Sequence, residues 1–217
     1  MEFIDIPTEQ TTAATDAILA IMALAAAVYL GRNSQDNRWK TSLWIGVFGL
    51  LSIASGLGAV VHGFNMPEAM RTNFWHPLFL SLGLLVAFFI VAAINDVWGE
   101  ARARRVLPAM MIVGLGFFGL TLIWPDSFLV FVIYELLAML FALGGYIYLA
   151  SRKLLMGAEL IASGIFATIL GSGIQASKAF AFTCIWSFDH NSVYHLVQIV
   201  GVGLLVMGLR KTLTASS

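Results

Sequence analysis

Residues 77–94 read PLFLSLGLLVAFFIVAAI, an unbroken apolar stretch without a charged side chain. A helix needs about 20 mainly apolar residues to cross the hydrocarbon layer of a bilayer. Six similar stretches lie on either side of this one, separated by short polar breaks. The seven predicted membrane spans are residues 11–30, 42–64, 77–94, 106–124, 128–150, 154–175 and 192–209.

The composition of the whole chain agrees with this interpretation. Hydrophobic residues make up 59% of the 217 positions and charged residues 11%, and the mean hydropathy is +0.88. These values are far from those of soluble domains. Because no long hydrophilic insertion or linker interrupts the spans, the sequence predicts an all-α, polytopic membrane protein: a single seven-transmembrane-helix bundle covering residues 1–217. The single cysteine, Cys184, excludes an internal disulfide.

The basic residues predict the orientation, because Lys and Arg concentrate in short cytoplasmic loops. Ten of the twelve basic residues follow the odd-numbered spans, and only Arg71 and Lys178 fall on the other side. The N-terminus is therefore expected outside and the C-terminus in the cytoplasm. Residues 1–10 would form an outer segment, acidic where a cleavable signal peptide would be basic, and residues 212–217 a cytoplasmic tail. The formal net charge of zero gives no reason to expect nucleic acid as a partner.

Several polar residues lie within the apolar spans, where ionisable groups are costly and usually face the bundle interior. Asp16 and Glu135 are expected near the outer leaflet and turned inward, either as site residues or in hydrogen bonds to a neighbouring helix. Ser55 and His62 share one helical face. Asp189 precedes the last span, where it is either a helix N-cap or a site residue.

All four histidines, His62, His76, His190 and His195, fall on the predicted outer side, with His62 and His76 flanking the loop between spans two and three. Imidazoles and carboxylates at one depth are ligands that zinc prefers, so a metal site is predicted, with hydrogen-bonded packing histidines as the alternative. His190 and His195 are five residues apart and diverge by about 140° on a regular helix. Either His195 acts beside Asn191, or His190 turns inward from the cap; the spacing leaves both alternatives open.

These residues give the chain a resemblance to the CREST superfamily of seven-span membrane hydrolases, which includes alkaline ceramidases and adiponectin-type receptors. The segment GLGAVVH at 56–62 resembles the second-span motif that ends in a zinc-binding histidine, and residues 188–195 resemble the histidine motif that opens the seventh span. Gly58 and Ala59 stand where the family has a serine, and His76 near the start of span three, where the family has an aspartate. The missing roles would then fall to His76, Asp16 or Glu135.

The resemblance implies a zinc-dependent hydrolase that acts on an amide or ester bond of a lipid-like substrate, of a bacterial type and in the inner (plasma) membrane. His62, His190 and His195 would hold zinc, Asp189 or Asp16 would orient the water or act as general base, and Ser55 would stabilise the oxyanion. The alternatives are a noncatalytic sensor, transporter or structural protein, with Gly164, Gly171 and Gly173 in helix contacts, and a b-type haem protein with His62 and His195 as axial ligands.

Overall fold

Seven long helices make up most of the chain in the computed structural model, which describes residues 2–33, 37–124 and 128–214. They are α1 (Pro7–Asn33), α2 (Arg38–Gly63), α3 (Glu68–Trp98), α4 (Glu100–Ile123), α5 (Phe128–Ser151), α6 (Ala158–Ser177) and α7 (His190–Thr214). Within the described residues, all seven are long and apolar enough to cross a membrane. The predicted all-α bundle of seven spans is confirmed at this level.

The helices pack mainly on their sequence neighbours, and α1 also packs on α7, so that the first and last helices close the bundle. In the hydrophobic core, Trp44 is fully buried and lies edge-on to Phe89, with 5.8 Å between the ring centroids. The α6 and α7 backbones approach closely at Gly164, where an added Cβ would lie 2.7 Å from the Gly201 carbonyl oxygen. Small residues permit such close contact between helices in a membrane. An added Cβ at Gly171 would meet Tyr194 of α7, whereas one at Gly173 would meet nothing within 4 Å.

The helix ends differ from the predicted spans, because turn chemistry rather than hydropathy decides them. α1 begins at Pro7, inside the predicted outer segment, and proline suits the first helical position because that amide has no intrahelical partner. α6 begins at Ala158, after the predicted start at residue 154. Lys153 and Gly157 both have positive φ, 54° and 82°, so the chain turns between them instead of continuing as a helix.

α3 begins at Glu68, directly after Pro67 and well before the predicted start at residue 77. The placement of His76 beside a loop is therefore wrong: the loop after α2 ends at Pro67, and His76 lies within α3. Polar residues on the first turns of α3 lowered the local hydropathy, although they are compatible with helix. Pro77 follows inside the helix, where its carbonyl accepts a hydrogen bond from the Ser81 hydroxyl at 2.8 Å.

Two pairs of short strands, which the sequence did not predict, lie at one end of the bundle. β1 (Glu2–Phe3) pairs antiparallel with β2 (Phe64–Asn65), and β3 (Phe182–Thr183) pairs antiparallel with β4 (Ser187–Phe188). The start of α1, the turn between α2 and α3 and the β3–β4 hairpin before α7 meet here. We call this the histidine end, because the four histidines lie toward it.

The opposite end contains a buried ion pair. Lys40 of α2 lies 2.9 Å from the Asp96 carboxylate of α3, with only 6% and 2% of the two side chains exposed. The Tyr146 hydroxyl of α5 donates a second hydrogen bond to Asp96 at 2.9 Å. Lys40 is one of the ten basic residues that follow the odd-numbered spans, and it lies in the first turn of α2, which begins at Arg38, rather than in the preceding loop.

Candidate functional site

A cavity of about 440 Å³ opens at the histidine end. Its wall includes apolar residues, among them Leu19, Leu51 and Phe131, and polar residues from several helices. Five of the eight predicted site residues line it: Asp16, Ser55, His62, His76 and His195. This volume lies in the range that is usual for small-molecule sites.

His195 is held at both ring nitrogens and is only 7% exposed. Its Nδ1 lies 3.1 Å from the Thr15 hydroxyl oxygen. The Thr15 hydroxyl has one proton, which it donates to a backbone carbonyl of the preceding helical turn, at Thr11 or Thr12. Its oxygen therefore accepts a hydrogen bond from Nδ1–H of His195. This arrangement leaves Nε2 as the basic nitrogen of the neutral ring.

The basic nitrogen of His195 faces Asp16. The distance from Nε2 to Asp16 Oδ1 is 3.4 Å, longer than a good hydrogen bond but within the range of an ion pair. Asp16 is 5% exposed. When the pair takes up a proton between the imidazole and the carboxylate, it becomes neutral overall, which suits its burial. The pair is thus a buried proton acceptor at the cavity wall.

Gly58 of α2 makes room for the Asp16 carboxylate. A Cβ added at Gly58 would lie 2.6 Å from Asp16 Oδ2 and 3.0 Å from the carboxyl carbon. Gly58 stands where the CREST pattern has a serine, and a larger side chain at this position would therefore have to move Asp16.

His62 is also oriented by a carboxylate. Its Nδ1 lies 2.6 Å from Glu9 Oε2 near the start of α1, and its ring meets Trp75 edge-on with 6.0 Å between the centroids. With Nδ1 engaged, Nε2 is the ring nitrogen that remains for a ligand.

Asp189 is the N-cap of α7. Its carboxylate accepts hydrogen bonds from the Ser192 amide at 2.9 Å and from the Thr12 hydroxyl at 3.0 Å, and its own amide donates to the Ser192 hydroxyl at 2.8 Å. This reciprocal pattern is a capping box. Partial burial raises the pKa of the Asp189 carboxyl, but the hydrogen bonds from Ser192 and Thr12 and the nearby His190 lower it, and the net pKa lies below the ordinary value of 3.8.

Glu135 and His190 are not among the residues that line the described cavity. Glu135 is buried between α5 and α6, where it accepts a hydrogen bond from the Ser172 hydroxyl at 2.7 Å. His190 is the first residue of α7 and is not among the residues that line the cavity. The structure thus brings His195 and Asn191 to the cavity, and Asn191 accepts a hydrogen bond from Gln175 at 3.1 Å.

The cavity offers donors of the kind that zinc prefers, but they do not form a complete ligand set. His62 and His195 each have Nδ1 held by an oxygen atom, as metal-binding histidines usually do. In residues 2–33, 37–124 and 128–214, however, no three His, Cys, Asp or Glu side chains are grouped so that they could hold a metal ion. The imidazole and carboxylate groups are of the kind that zinc binds, but within the described residues no three of them are close enough together to share one ion. Zinc therefore stays a prediction.

Several residues that contact the predicted site residues were not predicted, among them Glu9, Thr12, Thr15 and Gly58. One signal for them was present, because Glu9, Thr12 and Asp16 lie three and four residues apart and share a helical face. Because the first span was predicted to begin at residue 11, Glu9 was placed outside the helix and its position on that face was missed.

The described helices and cavity define the class of the protein: a bundle of seven helices that are long and apolar enough to cross a membrane, with a cavity lined by apolar and polar residues at one end. The chain belongs to a family of unknown function, DUF6962, whose pattern matches residues 11–214. No curated protein and no solved structure gives a significant match. The resemblance to the CREST superfamily stays a prediction.

Proposed function

We propose that the protein is a membrane hydrolase that acts on an amide or ester bond of a lipid-like substrate, with the cavity at the histidine end as its active site. The observation that carries the proposal is the position of His195, fixed between Thr15 and Asp16 at the wall of a cavity that is partly apolar. A buried acid–base pair beside apolar surface suits a polar bond on an apolar molecule.

In the proposed reaction, the Asp16–His195 pair removes a proton from water as the water oxygen attacks the carbonyl carbon. The C–O or C–N bond then breaks, and the pair returns the proton to the leaving alcohol or amine. Ser55, which is buried and lines the cavity, donates a hydrogen bond to the oxyanion.

Hydrolysis of long-chain amides and esters by the purified protein tests this proposal. Asp16→Asn and His195→Gln should each lower kcat by at least about 100-fold, the scale of general acid–base catalysis. Glu135→Gln is the matched control, because Glu135 is an equally buried carboxylate that is not among the residues that line the described cavity, and it should retain most of the activity. Folded Asp16→Asn and His195→Gln proteins with wild-type rates would contradict the proposal.

The zinc hypothesis has its own test, the metal content of the detergent-purified protein measured by mass spectrometry. If zinc takes part, we expect about one zinc ion per chain in the wild type and its loss in His62→Ala and His195→Ala, since a catalytic zinc needs three protein ligands. The resemblance also names His190 as a ligand, but His190 is not part of the described cavity wall, so we expect His190→Ala to keep its zinc. Well-folded wild-type protein without metal after metal-replete purification would overturn the hypothesis. An absorption spectrum of the same sample tests the b-type haem alternative by its Soret band.

A noncatalytic ligand-binding protein, such as a sensor, is the second candidate. It is favoured by the hydrogen bonds of Asp189, Glu135 and His62, which join these polar residues to other parts of the bundle. In that case, the wild-type protein would show no hydrolysis, and Asp16→Asn and His195→Gln would change only its stability or its affinity for a ligand.

We also propose that the histidine end faces outward and the opposite end faces the cytoplasm, in a bacterial inner membrane. Ten basic residues flank the connections at the opposite end, in agreement with the distribution of Lys and Arg around membrane spans. The substrate would then enter the cavity from the outer leaflet.

A further inference from the structure

We propose that the ligand of this cavity has a cationic head and one apolar chain, as in a long-chain amine or alkylammonium. This inference rests on the proposed function only for the location of the site, and it names the chemical class that the site selects. The evidence for it is the charge of the side chains that line the cavity. Asp16 and Glu68 both line the cavity, and no Lys or Arg is present among the described residues of its lining.

Asp16 provides the buried part of this negative charge. Its Oδ1 faces His195, whereas Oδ2 receives no hydrogen bond from the described residues and lies against the Gly58 backbone. A carboxylate oxygen at a cavity wall without a protein donor is a site for an N–H donor or a cation. An anionic head group, such as a phosphate, would instead meet two carboxylates without an opposing Lys or Arg.

Glu68 extends the negative charge toward the mouth of the cavity. It is exposed in the first turn of α3, where the helix dipole favours an anion. The two basic residues on the loops and helix ends of the histidine end, Arg71 and Lys178, are not among the described lining residues. The three histidines of the wall, His62, His76 and His195, add positive charge only when protonated, and His62 and His195 each face a carboxylate that offsets it.

Aromatic rings give the cavity a second way to bind a cation. Trp75 and Phe79 stack with 5.6 Å between their centroids, and both line the cavity. A cation over the face of a tryptophan is stabilised by the ring quadrupole, and quaternary ammonium groups are bound in this way. Leu51 and Leu82 of the lining leave apolar surface for the chain. The arrangement therefore matches a cationic amphiphile rather than a free metal ion or a soluble anion.

Binding of radiolabelled dodecylamine to the detergent-purified full-length protein tests this inference, with dodecyltrimethylammonium and dodecyl phosphate as competitors of equal chain length. We expect both cations to compete and dodecyl phosphate to compete at least about tenfold less well, a difference of about 1.4 kcal/mol. Glu68→Gln should weaken dodecylamine binding about threefold, the scale of an exposed ion pair. Glu100→Gln removes a carboxylate from the corresponding first turn of α4 at the opposite end and should leave binding unchanged.

The outcomes separate this inference from the proposed hydrolase. Selective amine binding without hydrolysis of any amide or ester would support the cation site and contradict the enzyme. Hydrolysis that depends on Asp16 without preference for cationic over anionic amphiphiles would support the enzyme and overturn the cation site. Equal binding of dodecyl phosphate, or an equal loss in Glu68→Gln and Glu100→Gln, would also overturn it.

Discussion

The Asp16 carboxylate packs directly against Gly58. The carboxylate lies against Gly58 so closely that an added methyl group would stand 2.6 Å from Oδ2. We expect Gly58→Ala to displace Asp16 from His195, to lower both hydrolysis and amine binding, and to cost about 1–3 kcal/mol in stability, as overpacking does. Thermal unfolding and the two functional assays measure these effects.

The control for this substitution is Gly56→Ala on the same helix, where an added Cβ would meet nothing within 4 Å. This variant should keep its function and gain stability, up to about 1 kcal/mol, because alanine is the better helix former. If Gly58→Ala behaves like Gly56→Ala, the contact with Asp16 does not position the carboxylate.

The sequence could place Asp16, Ser55, His62 and His195 at one end of the bundle, because span boundaries and alternation of direction determine depth. It could not predict their partners. The contact between Glu9 and His62 depends on the rotation of α1 about its axis and on its start at Pro7. The choice between His190 and Asn191 likewise depended on the capping of α7 by Asp189, which fixes where the helical repeat begins.

At the scale of helices, the Lys40–Asp96 pair joins α2 to α3, and Tyr146 adds α5. Asp96→Asn would leave the Lys40 ammonium buried without its counter-charge. Removal of one partner of a buried pair typically costs about 3–5 kcal/mol, so we expect a markedly lower unfolding temperature in thermal denaturation.

The nearby Arg104–Glu100 pair is the matched control. Its atoms are 2.7 Å apart, but about half of each side chain is exposed, and the residues lie four apart on α4. Glu100→Gln should therefore cost no more than about 0.5 kcal/mol. Equal destabilisation by the two substitutions would show that the burial of Lys40 contributes nothing.

The existence of every helix could be predicted, because each contains an apolar run of membrane-spanning length. The two strand pairs could not, since two-residue strands have no period to detect. Proline or glycine stands at several of the ends that were missed, at Pro7, Pro67, Gly99 and Gly157, and hydropathy does not register such local backbone chemistry.

At the scale of the whole molecule, Cys184 provides a direct test of orientation. It is exposed in the β3–β4 hairpin at the histidine end, and it is the single cysteine of the chain. If this end faces outward, a membrane-impermeant maleimide should label Cys184 in intact spheroplasts without permeabilisation. Gel shift or mass spectrometry measures the labelled fraction.

The control combines Cys184→Ser with Ser151→Cys, which moves the thiol to an exposed position at the opposite end. This variant should react only after the membrane is permeabilised. The reverse result for the two proteins would invert the proposed orientation and place the cavity on the cytoplasmic side.

The closure of α1 on α7 has a consequence for biogenesis. Thr15 and Asp16 enter the membrane with the first span, whereas His195 and Asp189 arrive with the last. Asp16 therefore has no His195 partner until nearly the whole chain has been synthesised. A nascent chain that stops before α7 would therefore carry an unpaired acid in its first span.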